Sequence, residues 1–244
     1  MTGTAPADRR GEANRQGEAD RQGEAAVRPG VAAFDFDGTL ARRDTLVPFL
    51  RRACGRRRLS LATARVAPRC RTRDELKLAL LATLFRGWPE ERLLELGRTY
   101  AASLPALFRP ELAERLRWHQ DQGHAVVIVS ASLAAYLRPL GEALGVDEVL
   151  AVELLAADGT LTGAVAGGAN CRGPGKVERL RAWLDARYGP GAEVELWAYG
   201  DSSGDAELLA LADHPTWVGR RARSRRATGP DPAAAGGRSQ SRSR

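Results

Sequence analysis

The order of apolar and polar positions divides the middle of the chain into strands and helices. Apolar runs at 31–36, 125–130 and 194–199 are short, rich in β-branched or aromatic residues and followed by polar residues, which is typical of buried strands. Between them, apolar residues recur at helical spacing. This alternation predicts an α/β fold with a parallel sheet and helices on both faces.

The segment between the first two predicted strands has the periodicity of helices throughout. Asp44 and Asp74 are candidate caps for two of these helices, and Pro89 and Pro110 can open two more. An ordinary connection between parallel strands needs far fewer residues. About 70 residues of this segment are therefore expected to form a separate all-helical cap.

The two ends of the chain differ from the middle in composition. Residues 11–25 repeat a six-residue unit without an apolar side chain larger than Ala, and the C-terminal end is rich in Arg, Ser, Gly and Pro. Such segments cannot bury enough apolar surface to fold. The predicted organisation is a disordered tail at 1–29, an α/β core at 30–43 and 114–218, a helical cap at 44–113, and a disordered Arg-rich tail at 219–244.

Charge is unevenly distributed along the chain, which has a formal net charge of +7. Residues 220–244 contain eight Arg and one Asp, so residues 1–219 sum to zero. This tail is expected to contact anionic surfaces weakly, and no obligate nucleic-acid partner is predicted. Residues 41–73 contain eleven Arg and one Asp, which either attract an anionic ligand or form a solvated face.

No apolar stretch reaches the roughly 20 residues that a membrane-spanning helix needs. The N-terminus is polar where a signal peptide would be apolar, so we predict a cytoplasmic protein. The cysteines and histidines are scattered without the spacing of metal ligands, which favours structural roles for them. These residues are Cys54, Cys70, Cys171, His119, His124 and His214.

The first candidate for chemistry is an acidic pair at the end of the first predicted strand. Asp35 and Asp37 are two residues apart, so both are expected to face one site. Two close carboxylates repel each other unless a cation or a proton relieves them, and Mg²⁺ suits such oxygen ligands. The backbone N–H groups of Gly38 and Thr39 are candidate donors to an anion.

Three later segments place further polar residues at strand ends or helix starts. Ser130 and the N–H groups that follow it, from Ala131 onward, can donate to a phosphate. Lys176 lies near a helix start and can neutralise both a carboxylate and a phosphate. Asp201 and Asp205 can complete an oxygen-rich metal site with Asp35.

The ordered motifs DFDGT, VSAS, GPGK and GDSSGD resemble those of haloacid dehalogenase (HAD) superfamily phosphatases. The resemblance is to subfamily IB, the branch similar to phosphoserine phosphatase, and it covers about residues 31–218. It implies a Rossmann-like three-layer core with a parallel sheet, and an all-helical cap inserted between the first and second motifs.

The resemblance also implies the catalytic and metal-binding roles. Asp35 would be the nucleophile that forms an aspartyl-phosphate, and Asp37 the general acid and then base. Mg²⁺ would be held by the side chains of Asp35 and Asp201 and by the backbone carbonyl of Asp37. Asp205 would orient Lys176 or a metal-bound water.

For the phosphoryl group, the resemblance implies binding by Ser130, Lys176 and the N–H groups around Gly38 and Thr39. Asp44 is either a substrate contact at the entry to the cap or only a helix cap. Gly38 and Gly204 replace the Ser and Asn that phosphoserine phosphatases often have at these positions, which leaves the substrate open.

We therefore predict a Mg²⁺-dependent phosphatase that hydrolyses a small phosphorylated metabolite. One alternative is a phosphotransferase that uses the same residues with an acceptor other than water. The other alternative is a non-enzymatic anion or nucleic-acid binder that acts through the Arg-rich tail, and whose affinity would fall steeply with salt.

Overall fold

The computed structural model describes residues 28–219, which form seven strands and eight α-helices. Apart from Arg28, Pro29 and Gly219, the two tails that are predicted to be disordered lie outside the described residues. The strands are β1 (Gly30–Phe34), β2 (Ala125–Leu133), β3 (Glu148–Val152), β4 (Leu154–Ala157), β5 (Thr160–Val165), β6 (Glu195–Gly200) and β7 (His214–Trp217). The α-helices are α1 (Leu46–Cys54), α2 (Arg56–Val66), α3 (Arg73–Phe85), α4 (Glu90–Ala101), α5 (Pro110–Asp121), α6 (Ala134–Leu144), α7 (Pro174–Tyr188) and α8 (Ala206–Leu211).

Five of the strands form one parallel sheet in the order β3-β2-β1-β6-β7. β1 lies at its centre, with Phe34 opposite Ile128 on one side and Tyr199 on the other. The apolar sequence of β1 fits this place because a central parallel strand is covered on both faces, and Val31–Phe34 are fully buried. The predicted α/β fold with a parallel sheet and flanking helices is confirmed.

The remaining two strands form an antiparallel hairpin. Asp158 and Gly159 both have positive φ, +48° and +71°, which the tightest hairpin turns require at both central positions. The hairpin binds the connection between α3 and α4 through its backbone. Gly87 N–H donates to Leu161 O at 2.8 Å, and Leu161 N–H donates to Trp88 O at 2.8 Å.

The inserted helices share an aromatic cluster with the part of the chain that carries the sheet. The rings of Phe49 and Tyr100, from α1 and α4, lie 5.0 and 5.3 Å from the ring of Tyr136 on α6. At Gly97, α4 approaches the backbone of α6 so closely that an added Cβ would lie 2.0 Å from Ala135 O. The division into a core and a separate cap stays a prediction.

One of the two predicted helix-capping residues is found at its helix start, and the other is not. Asp44 accepts a hydrogen bond from Val47 N–H at 3.1 Å, which fits its role as a cap of α1. The prediction that Asp74 caps α3 is wrong, because Thr72 accepts from Glu75 N–H at 3.1 Å and Asp74 lies in the first turn. Within residues 28–219, none of the helices combines the length and apolar character needed to cross a bilayer.

Candidate active site

Three parallel strands bring polar residues to the same edge of the sheet. Asp35 directly follows β1, Asp201 directly follows β6, and Ser130 lies near the end of β2. Asp35 N–H donates to Tyr199 O at 2.9 Å, so the backbone of β1 stays paired with β6 up to this point. The carboxyl ends of parallel strands meet at one edge, which is where open α/β sheets bind ligands.

Lys176 joins two of the carboxylates at this edge. It lies in the first turn of α7, is only 2% exposed, and its Nζ donates to Asp35 Oδ1 at 2.6 Å and to Asp205 Oδ1 at 2.7 Å. Gly175 permits the tight approach, because an added Cβ would lie 2.6 Å from Asn170 O. The motif GPGK therefore places an ammonium group beside the predicted nucleophile.

Burial dominates the electrostatics of these groups. It raises the pKa of Asp35 to about 7, against the opposing effect of Lys176. Burial alone would lower the pKa of Lys176, but Asp35 and Asp205 outweigh it and raise that pKa, so the lysine stays protonated. Burial and the nearby Asp205 also raise the pKa of Asp201. Burial therefore favours the protonated forms of Asp35 and Asp201 unless further positive charge is present.

The carboxylates form a cluster that fits a hard metal ion. Asp35, Asp201 and Asp205 each offer an oxygen, and these atoms all lie within 4.8 Å of one another. Asp205 is already engaged by Lys176 and, through its other oxygen, by Ser202 N–H at 3.0 Å and Ser202 Oγ at 2.8 Å. Asp35 and Asp201 are therefore the better ligands. An all-oxygen donor set of this kind suits Mg²⁺.

The loop after β1 uses both backbone N–H groups that the sequence offers as anion donors for hydrogen bonds of its own. Gly38 N–H donates to Ala41 O at 2.8 Å and Thr39 N–H to Phe36 O at 3.3 Å, so both groups are used within the loop, which turns back on itself. The hydroxyl of Thr39 is instead buried without a hydrogen-bond partner in the described part of the chain.

The glycine at position 38 is required for this loop to approach the cluster. Gly38 has a φ of +88°, and an added Cβ would lie 2.3 Å from Asp201 Oδ2. Its carbonyl accepts from Arg109 Nε at 3.3 Å and Nη2 at 3.2 Å. Among residues 28–219, the N–H groups of Phe36 and Asp37 have no backbone acceptor, and they directly follow Asp35.

The side chain of Asp37 lies in a separate polar pocket and takes no part in the carboxylate cluster. It accepts from Thr45 N–H at 2.8 Å, from Thr45 Oγ1 at 2.6 Å and from Ser132 Oγ. Thr45 is held in turn by Tyr136 and by Tyr100, whose hydroxyl donates to Thr45 O at 2.9 Å. Burial raises the pKa of Asp37 despite the hydrogen bonds from Ser132 and Thr45. Sequence reasoning missed these supporting side chains.

Lys77, on α3, reaches the same region and was also missed. Its Nζ donates to Ala131 O and to Asn170 Oδ1, the latter at 2.6 Å, and Asn170 Nδ2 donates to Asp74 at 2.7 Å. Burial lowers the pKa of Lys77 to about 8. In the described range it forms no ion pair with a carboxylate. The available signal was that Lys77 and Lys176 are the only two lysines.

The remaining predicted residues lie in different settings. Ser130 is buried and its Oγ accepts from Ser132 N–H at 3.1 Å, while the carbonyl of Ala131 accepts from Lys77. Asp44 is exposed and lies outside the carboxylate cluster. The roles of these residues towards a phosphate or substrate stay predictions.

The histidines, which are scattered along the sequence, lie close together in the structure. His119 Nδ1 and His124 Nδ1 are 2.9 Å apart, and His119 Nε2 is 2.8 Å from Tyr199 Oη. The ring of Trp197 stacks between His124 and His214, at centroid distances of 4.4 and 4.6 Å. His124 directly precedes β2 and His214 begins β7, whereas Tyr199 lies near the end of β6, two residues before Asp201.

Comparisons with known proteins agree with this geometry. The model of the haloacid dehalogenase-like hydrolases matches residues 32–210. Protein CicA of Caulobacter vibrioides is 35% identical over 193 residues, 76% of this chain and 84% of that protein. A probable phosphatase of Mycobacterium tuberculosis is 31% identical over 139 residues, 57% of this chain and 47% of that protein. The structure of a probable phosphoserine phosphatase from Vibrio cholerae shares the fold, with 22% identity, a TM-score of 0.56, and coverage of 75% of this chain and 54% of that one.

Proposed function

The chain belongs to the haloacid dehalogenase-like hydrolase family, and from this membership we propose that it is a Mg²⁺-dependent phosphatase acting on a small phosphomonoester. The observation that carries the proposal is the contact of Lys176 with Asp35, beside Asp201 at the carboxyl edge of the sheet. The relative named as a probable phosphatase supports the same class of reaction.

Asp35 is the proposed nucleophile. One of its carboxylate oxygens attacks phosphorus in line with the ester oxygen, so an aspartyl-phosphate forms as the bond to the alcohol breaks. Water then attacks this phosphorus, which releases inorganic phosphate and restores Asp35. Lys176 keeps the carboxylate oriented and offsets the charge of the phosphoryl oxygens. The N–H groups of Phe36 and Asp37 and the hydroxyls of Thr39 and Ser130 are the candidate donors to those oxygens.

Asp37 is the proposed general acid and base. Its buried position raises its pKa, which favours the protonated carboxyl that the leaving alkoxide needs. After the alcohol leaves, the same carboxylate accepts a proton from the attacking water. Hydrogen bonds from Thr45 and Ser132 hold the carboxyl in place before substrate binds. The group therefore loses little further freedom during the reaction.

Asp35 and Asp201 would hold Mg²⁺ through their side chains. The backbone carbonyl of Asp37 is the third ligand that the family resemblance implies. The bound ion supplies positive charge to the phosphoryl oxygens and relieves the repulsion between the carboxylates. Asp205 contacts Lys176 and Ser202, which suits a residue that orients the lysine. These assignments keep the metal ligands predicted from the sequence.

Release of inorganic phosphate tests the proposal. A panel of phosphomonoesters, including phosphoserine, histidinol phosphate, sugar phosphates and lysophospholipids, is assayed with Mg²⁺ and with EDTA. Asp35→Asn is compared with Asp121→Asn, a matched change of an exposed aspartate on α5. We expect release that requires Mg²⁺, is lost in Asp35→Asn and is unchanged in Asp121→Asn.

Two results would contradict the proposed reaction or refine it. Mg²⁺-dependent release that persists in Asp35→Asn would exclude this residue as the nucleophile. An added alcohol that becomes phosphorylated in preference to water would identify the enzyme as a phosphotransferase using the same site.

A further inference from the structure

A strongly basic surface covers the first two helices of the insertion, and the proposed reaction does not use it. We define this arginine-rich surface as residues 46–73, which contain nine arginines and no acidic residue. All nine arginines are exposed. They are Arg51, Arg52, Arg56, Arg57, Arg58, Arg65, Arg69, Arg71 and Arg73.

The positive charge of this surface is opposed by the charge of the rest of the described chain. The other residues within 28–219 include 16 basic and 24 acidic side chains, so they carry a net charge of −8 against the +9 of the surface. A separation of this size gives the protein a strong charge asymmetry. Such asymmetry orients the protein as it approaches an anionic partner.

Most of these arginine side chains form no ion pair or hydrogen bond within the described part of the protein. Between residues 28 and 219, none of the nine forms an ion pair with a carboxylate. Two have other partners: Arg58 donates to Leu84 O at 2.9 Å and lies over Trp88, and Arg69 donates to Arg65 O at 2.6 Å. The others are left to solvent or to a partner that supplies several negative charges.

Two large apolar side chains are exposed within the same surface. Leu61 is 73% exposed and Val47 is 40% exposed. On α2, Arg57, Leu61 and Arg65 follow one another at intervals of four residues, so they lie on one face of the helix with Leu61 between the two cations. The opposite face of α2 packs inward through Ala62 and Val66.

We propose that the arginine-rich surface is a docking site for a membrane that contains anionic phospholipids. Arginines attract the negatively charged headgroups, and an apolar side chain among them can insert at the level of the acyl chains. A nucleic acid would neutralise the charges of the arginines but would not bury the apolar side chain of Leu61. Single-stranded nucleic acids are commonly bound by stacking on exposed aromatic rings, and the only aromatic residue in 46–73, Phe49, is buried.

Docking at this surface would act on a helix that contacts the candidate active site. α1 begins at Leu46, directly after Thr45, whose N–H and hydroxyl bind Asp37. The inference concerns where the protein binds and does not require that the proposed phosphatase activity be correct.

Sedimentation with lipid vesicles tests the proposal on the full chain. Vesicles of phosphatidylcholine alone are compared with vesicles that also contain about 30% phosphatidylglycerol, at low and high salt. We expect binding to the anionic vesicles to be at least about tenfold stronger, and to weaken at high salt because the headgroup charges are screened.

Matched variants separate this surface from the rest of the chain. Arg57→Glu/Arg65→Glu is expected to weaken binding to anionic vesicles by at least about tenfold. Arg117→Glu/Arg181→Glu changes the net charge equally at exposed arginines elsewhere and is expected to bind like the wild type. Leu61→Ser keeps the charge and is expected to weaken binding by severalfold through lost insertion. The basic tail is present in every variant, so its contribution cancels, and circular dichroism checks that each variant is folded.

Three results would overturn the proposal. One is equal binding of the wild type to both kinds of vesicle. Another is equal loss of binding in the surface and control charge variants. The third is binding to a short RNA or DNA duplex that depends on Arg57 and Arg65 in the absence of vesicle binding, which would assign the surface to nucleic acid.

Discussion

Asp37 shows how neighbouring side chains prepare one carboxyl group for proton transfer. Its raised pKa and its hydrogen bonds to Thr45 and Ser132 suit a general acid that is fixed in place before substrate arrives. A general acid matters most when the departing alkoxide is a strong base. The effect of removing it should therefore depend on the leaving group.

Replacing Asp37 by Asn should lower kcat by about 100-fold for an alkyl phosphate and much less for p-nitrophenyl phosphate. The amide keeps the size of the side chain and can still accept a hydrogen bond from Thr45, but it cannot supply the proton. Steady-state kinetics on the two substrates measure the difference. Equal losses on both would show that Asp37 does not protonate the leaving group.

Lys77 is a half-buried cation whose hydrogen-bond partners are neutral oxygens. Replacing such a group with an apolar side chain of similar size is often neutral or stabilising, because the cost of removing the charge from water disappears. The charge of Lys77 lies beside Ala131 and near Asp37, where it can also attract an anionic ligand. This makes Lys77 a candidate contact for an anionic group of the substrate.

We expect Lys77→Met to leave the Tm unchanged or higher and to lower kcat/KM by at least about tenfold, the loss of one charge-assisted hydrogen bond. Thermal unfolding and steady-state kinetics on the same preparations measure both quantities. A parallel fall of Tm and kcat/KM would instead give Lys77 a purely structural role, in which it ties α3 to β2.

The close approach of α4 to α6 depends on one glycine. An added Cβ at Gly97 would lie 2.0 Å from the backbone oxygen of Ala135, so the two helices would have to separate. Helix propensity alone would favour Ala over Gly by about 1 kcal/mol. The steric effect and the propensity therefore act in opposite directions, which makes the outcome informative.

Gly97→Ala should lower the free energy of unfolding by about 1–3 kcal/mol, the usual cost of overpacking. Thr99→Ala, at an exposed position of the same helix, should change it by less than about 0.5 kcal/mol. Urea unfolding of the three proteins gives the comparison. If Gly97→Ala were as stable as the wild type, the two helices would not be in tight contact.

A cluster of histidines and aromatic residues around His119 joins α5 to two strands of the sheet. His119 is fully buried between His124 and Tyr199, and burial, with further effects of His124 and Arg115, lowers its pKa to about 3. Unfolding exposes the ring and restores a pKa near 6.5. Between about pH 6.5 and pH 3 the unfolded chain therefore binds one more proton at this residue than the folded chain does.

The sign of this effect predicts a loss of stability in acid. The contribution of neutral His119 is complete above about pH 6.5 and is lost as the pH falls towards 3, at up to about 1.4 kcal/mol per pH unit. In His119→Gln, the unfolding free energy should depend less steeply on pH between pH 4 and pH 6. The decrease in slope should correspond to about one bound proton. Urea unfolding at several pH values measures the slope, and an unchanged slope would mean that His119 is protonated in the folded protein.

The sequence alone determined the parallel sheet and the residues at its carboxyl edge. Buried strands are recognisable because apolar runs such as 31–34 and 125–129 are local, and each is followed directly by its polar residues. Once the strands are parallel, Asp35 and Asp201 must converge at one edge, because each directly follows a strand of the sheet. The hairpin turn at Asp158 and Gly159 is likewise a local property of two adjacent residues.

Only the tertiary structure decided which distant side chains support these residues. Ser132 binds Asp37 across 95 positions of sequence, and Lys77 binds Ala131 across 54. The assembly of the three histidines depends in the same way on how α5 packs on the sheet. Such contacts leave no periodic signal, because they are set by the orientation of packed helices rather than by the conformational preference of any one segment.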